Sequence, residues 1–251
     1  MKFTAYLDLT GWFQVGVHKS HSKTWESATT EKLTLEIQHA PQDIPDLGNL
    51  DAMRRYYRDR LRRVRGAIIS CDLVMVGNLQ GLRTIFKIPA GVGLAMRFTA
   101  ELLVRLGNRL AGLRICAEES GITGIREALV MGELSRSANP SQLEQLRRSE
   151  IPLEWKFERY EPNTRGEFAY CLSDDENYDH RFPLHPLTIV RRRMRWLEKS
   201  FSVSAAAASA SHEVAAIAET KESGGLLSRL ARTLGRDRQP FTSICVKNKI
   251  N

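Results

Sequence analysis

Residues 94–118 leave this chain the fewest options. Leu94, Met96, Phe98, Ala100, Leu102 and Val104 alternate for six positions, Gly107-Asn108 supplies turn residues that tolerate positive φ, and RLAGLRICAE runs back. A two-residue period is that of a strand, and two such runs joined by a tight turn form an antiparallel hairpin. Leu33, Leu35 and Ile37 repeat the alternation against Lys32, Thr34, Glu36 and Gln38. The same reasoning places strands near 2–9, at 12–18 (WFQVGVH), over AIISCDLVMV, over LRTIFKI up to Pro89, and at 153–159 (LEWKFER), with a turn across Gly77 to Gly81.

Between these runs the period changes. From Asp51 to Arg65, Met53, Tyr57, Leu61 and Val64 recur at helical spacing while Arg54, Arg55, Arg58, Arg60, Arg62, Arg63 and Arg65 fill other positions. Gly66 is expected to stop this helix by taking the left-handed conformation. A short helix capped by Thr123 is expected through GIREALVMGEL, another from Asn139-Pro140 to Ser149, and a last one from Pro186 with Leu187, Val190, Met194, Leu197 and Phe201 on one stripe. The fold class is therefore α+β, an antiparallel sheet flanked by amphipathic helices, and 42% hydrophobic content supports a real core. Residues 1–201 read as one domain. Residues 202–251, shifting to SAAAASAS from Ser204 and then turning basic, read as a mostly disordered, flexible tail.

Several classes are set aside on composition. The N-terminus lacks the regions of a signal peptide, and the most apolar stretch, 94–106, carries Arg97, Glu101 and Arg105, so no membrane span is expected. Cys71, Cys116, Cys171 and Cys245 are scattered without a CxxC pair, which fits reduced thiols in a cytoplasmic protein. No GxxxxGK[ST] or GxGxxG occurs, and Gly121 to Gly124 reads as a turn. No cofactor is expected. The net charge of +8 favours an anionic partner, although it is spread over both sides of residue 202.

Three groups of residues have functional readings. Arg54, Arg55, Arg58, Arg62 and Arg65 fall on one helical band that either binds a protein partner or nucleic acid, or pairs with the sheet's own carboxylates. Asp174, Asp175, Glu176, Asp179, His180 and His185 crowd one segment, but their spacing matches neither a calcium loop nor HExxH, so no metal ligand is assigned. Cys171 with Asp179 and His180 or His185 would compose a thiol triad only if folding brought them together. In the tail, Leu226, Leu227, Leu230 and Leu234 oppose Arg229, Arg232 and Arg236 on a helical projection, a small amphipathic patch suited to a membrane surface or a partner groove.

The order WFQVGVH, KLTLEIQ, AMRRYYRDRLRRV, then hairpins ending in RICAEESGITGIREAL, resembles the PsbP/Mog-type α/β/α superfamily over residues 1–131. AEESGITGIREAL and DDENYDHRFPLHPLTIVRRRM also look like segments of uncharacterised bacterial proteins. The superfamily resemblance implies a non-catalytic binding or assembly factor. The expected function is thus a cytosolic protein-interaction module of adaptor or immunity type, with arginine-driven nucleic-acid binding and a metal enzyme built on residues 173–185 as alternatives.

Overall fold

The computed structural model describes residues 4–15, 22–29, 31–91, 95–137, 155–161, 170–203 and 245–248. The helix expected over 139–149, Leu94, and the tail patch at 226–236 lie outside the described residues. Seven strands form one antiparallel sheet: β2 (Trp12–Gln14), β3 (Ser22–Ser27), β4 (Lys32–His39), β5 (Ala67–Val76), β6 (Leu79–Pro89), β7 (Met96–Leu106) and β8 (Arg109–Glu118). Their order is β2-β3-β4-β8-β7-β6-β5, so the expected hairpin β7-β8 is the centre of the sheet. β1 (Thr4–Leu7) stands apart, antiparallel to β11 (Ser202–Val203) and parallel to β12 (Cys245–Asn248).

The sheet is covered on both faces by helices whose apolar stripes match its pleat. α3 (Pro186–Ser200) lays Leu187, Val190, Met194 and Leu197 over Leu33, Leu35, Ile37, Phe98, Ala100, Leu102, Leu113 and Ile115. α1 (Leu50–Arg63) lays Met53, Tyr57 and Leu61 over Leu82, Phe86, Leu103 and Leu110. β7 is buried on both faces as a result, where the sequence alone described one alternating apolar side: Thr99, Glu101 and Leu103 are as deeply buried as Phe98 and Ala100. Glu101 is accommodated because it accepts hydrogen bonds from Tyr57 Oη and Arg114, each at 2.6 Å.

Local chemistry moves several boundaries. Arg65, not Gly66, takes the left-handed conformation at the end of α1, with φ 57°. Gly66 N–H and Arg65 N–H close the helix onto the Leu61 and Arg62 carbonyls. Glycine is required at 66 for space: a Cβ there would lie 2.7 Å from Ile88 Cγ2 and from the Lys87 carbonyl. The β5-β6 turn is only Gly77-Asn78, and Gly81 belongs to β6, where its bare Cα lets β7 approach. β3, unassigned from sequence, is a full strand that pairs with both neighbours. β2 ends at Gln14, and within the described part of the strand expected over 153–159 only β9 (Lys156–Phe157) is extended, against β10 (Tyr170–Cys171). α2 (Ile125–Ser137) begins with the Ala128 N–H bonded to the Gly124 carbonyl, one residue beyond the expected Thr123 cap, and Gly121 and Gly124 both have positive φ as the turn requires.

Gly66→Ala is expected to destabilise the protein by about 1–3 kcal/mol, because the added methyl meets backbone as well as a side chain. Gly132→Ala, on α2 with nothing within 4 Å of its Cβ, is expected to stabilise by about 0.5–1 kcal/mol. Urea denaturation of the two variants, with equal slopes, checks both signs.

Candidate functional site

The arginine band of α1 is largely met by the chain itself. Arg54 donates to the Cys71 carbonyl through Nε and Nη2 at 3.3 and 3.2 Å and lies 3.9 Å over the Tyr160 ring. Arg58 pairs with Glu161, and Arg62 approaches the same carboxylate at 3.8 Å. Segment 155–161 therefore covers the side of the helix that Arg54, Arg58 and Arg62 share. Arg55 points elsewhere and is exposed, as are Arg62 and Arg65. Of the arginines of α3, Arg191 is buried and donates to Asp179 at 2.8 Å and to the Asp174 carbonyl, while the exposed Arg195 pairs with Glu176.

Residues 170–185 do not converge on one point. They wrap around buried cations from other elements. Lys87 of β6 donates to Asp174 Oδ2 at 2.6 Å and to Cys171 Sγ at 3.3 Å. Burial works against charge on this lysine, yet Asp174 and Cys171 raise its pKa. Burial likewise disfavours the Asp174 carboxylate, and Lys87 with the Cys171 N–H overrides it, holding the pKa below its usual value. Arg126 of α2 is fully buried and donates to the Ser173 carbonyl at 2.6 Å, the Asp175 carbonyl and Asp179 Oδ1 at 2.9 Å each, and Thr188 Oγ1 at 3.1 Å. Cys171 touches Lys87, Ser173 and Asp174 rather than a histidine, and burial followed by the Asp174 charge pushes its thiol up to about 12. A thiol held protonated in this way is a poor nucleophile.

Among the described residues two groups of three side chains are close enough to share a cation: Glu119, Glu127 and His185, and Glu127, Cys171 and Asp174. Lys87 occupies the second. In the first, His185 caps α3 by accepting the Leu187 N–H on Nδ1 at 3.2 Å. A neutral imidazole accepting there carries its proton on Nε2, which faces Glu119 Oε1 at 3.4 Å. That geometry suits a carboxylate neighbour and leaves no lone pair for a metal. Burial alone would raise the pKa of Glu119; His185 and the Met96 and Gly124 N–H groups lower it below the usual carboxylate value.

Glu119 and His185 instead help line a cleft of about 430 Å³ at one end of the sheet. On the face that α3 covers, Leu33 pairs with Ile115. The pleat continues this face to Glu31, Ala117 and Glu119, so the apolar stripe ends in carboxylates where α3 begins. Ile122 and Ile125 form one lip and Leu184 the other. These three and Leu129, four residues on from Ile125, are half of the eight large hydrophobics exposed among the described residues, and Ile122 and Leu184 are 81% and 83% exposed. Sequence reasoning missed Lys87, Arg126, Glu31 and Glu119. The one available signal was charge on an apolar face: Lys87 falls in step with Ile85, and Glu31 with Leu33.

No family model matches the chain, and no curated protein matches it in sequence. Among solved structures it is similar to cyanobacterial PsbP from Synechocystis sp. PCC 6803, with 12% identity and a TM-score of 0.34 over 54% of this chain and 90% of that one. It is also similar to the Saccharomyces cerevisiae Ran-binding protein Mog1p, with 11% identity and a TM-score of 0.33 over 57% and 76%. The likeness to PsbP and Mog1 extends over part of the chain only, as does the resemblance in sequence. Among the described residues no helix is long and apolar enough to cross a membrane.

Lys87→Met is expected to cost about 3–5 kcal/mol, because it strands the Asp174 charge, while Lys87→Met with Asp174→Leu recovers most of that loss. The depressed Asp174 pKa gives stability that is present above the ordinary value of 3.8 and lost as pH falls through the folded value. In Lys87→Met the isolated carboxyl takes a raised pKa and the sign of that limb reverses. Urea midpoints measured from pH 3 to pH 7 check both expectations.

Proposed function

We propose that this protein is a non-catalytic protein-interaction module, of the adaptor or immunity type in the cytosol, and that it docks its partner on the cleft between α2 and the start of α3. The observation that carries the reading is the gathering of Ile122, Ile125 and Leu184 in water around a concave site. Burying such side chains against a partner releases about 25 cal/mol per Å² of apolar surface, and large exposed apolar clusters mark interaction sites. Asp174, Asp179, Cys171 and His185 support the same reading, since each is engaged by side chains of the fold itself. Arg55, Arg62 and Arg65 on the opposite side of the sheet offer a second, basic contact face.

A photo-crosslinking amino acid placed at 184 is expected to capture one stoichiometric partner in the native cell, and one placed at 62 to capture less of it. Ile122→Asp with Leu184→Asp is expected to weaken that complex at least about 30-fold, the loss of a binding hot spot. Capture at 62 alone, or an affinity untouched by the double substitution, would defeat the cleft as the docking face.

A further inference from the structure

We infer that the cleft receives a lysine or arginine side chain of a partner peptide whose neighbouring residues are aliphatic. This inference rests on the docking reading above and adds the chemistry of the occupant. Glu31 is 1% exposed and lines the cleft. Its Oε2 accepts from Thr29 Oγ1 at 2.7 Å, and Arg193 stands 3.9 Å from that same atom, while Oε1 is buried with no hydrogen-bond partner. A buried carboxylate oxygen left unpaired is costly, and an entering cation removes that cost.

The rest of the lining points the same way. Glu119 and Glu118 add carboxylates, the latter paired with Arg97. The one guanidinium in the wall, Arg126, directs its N–H groups to Ser173, Asp175, Asp179 and Thr188. In a chain of net charge +8, this is an acidic recess under apolar lips. A long basic side chain fits both parts, because its methylene stem lies along isoleucine and leucine while its head reaches the acids. The His185 tautomer argues against a bare divalent ion, and the exposed Ile122 and Leu184 argue for aliphatic residues flanking the cation.

The test titrates full-length protein with the capped tripeptides Leu-Arg-Leu, Leu-Lys-Leu and Leu-citrulline-Leu, read by calorimetry and by amide NMR shifts. The basic peptides are expected to bind at least about tenfold more tightly than the citrulline peptide, which keeps the shape and loses the charge. Glu31→Gln, or Glu119→Gln should the first variant fail to fold, is expected to erase that difference. Ile122→Ser and Leu184→Ser are expected to weaken all three peptides alike. Equal affinity for the arginine and citrulline peptides overturns the inference. So does zinc alone displacing the peptide in a His185-dependent manner. A tenfold gain in affinity on replacing Arg229, Arg232 and Arg236 by Gln would assign the cleft to the chain's own basic segment and overturn the separate partner. If the charge preference fails while the Leu184 crosslink and the Ile122 and Leu184 substitutions behave as expected, the docking face stands and only its proposed basic ligand falls.

Discussion

The guanidinium of Arg126 carries a full positive charge with no solvent around it, and the conformation of residues 173–188 is the arrangement that satisfies it. Two backbone carbonyls, one carboxylate and one hydroxyl converge on its N–H groups from a stretch that has few apolar side chains with which to fold itself. Because three of those acceptors lie before α3 and the fourth, Thr188, in its first turn, the same contacts set where Pro186 begins the helix and where His185 caps it. The walls of the cleft follow: the turn before α2 brings Ile122 and the first residue of α2 brings Ile125 on one side, and the turn into α3 brings Leu184 on the other.

A second buried cation, Lys87, does similar work at the sheet. Its ammonium gathers Asp174 and Cys171 over β6, which ties the short turns after β10 to the same face that α3 covers. Buried pairs of this kind add little to stability compared with apolar packing, and they penalise any alternative in which one charge is left alone. The groups that look most reactive on paper are thus occupied in holding an irregular segment in place. An inert thiol pushed up to about 12 is the chemical signature of that use.

The arginines of α1 show how a local pattern and a tertiary outcome diverge. Helical spacing suggests one band of Arg54, Arg55, Arg58, Arg62 and Arg65, of which Arg54, Arg58 and Arg62 share a side of α1. Whether such a band meets solvent depends on segment 155–161, about a hundred residues away, whose Tyr160 and Glu161 settle onto it. Nothing in residues 51–65 encodes that event. Conversely, Glu31 and Glu119 are far apart in the chain and unremarkable in composition, and they become neighbours only because β4 and β8 pair in one register.

Periodicity was legible wherever the burial was one-sided or the turn chemistry local. The β7-β8 hairpin with Gly107-Asn108, β4, the stripe of α1 and the Pro186 start of α3 all stand where their spacing places them. Short strands such as β3 and β9 were harder to see, since a two- to six-residue element owes its conformation to its neighbours more than to its own propensity. By itself the sequence determined an antiparallel sheet with amphipathic helices on it, because alternation and helical spacing are properties of adjacent residues. Only the tertiary structure decided which charges are buried and matched, which apolar side chains are left in water, and hence where a partner can bind. Those outcomes depend on strand register and on contacts between residues far apart in the chain, where desolvation makes one partner present or absent the whole difference.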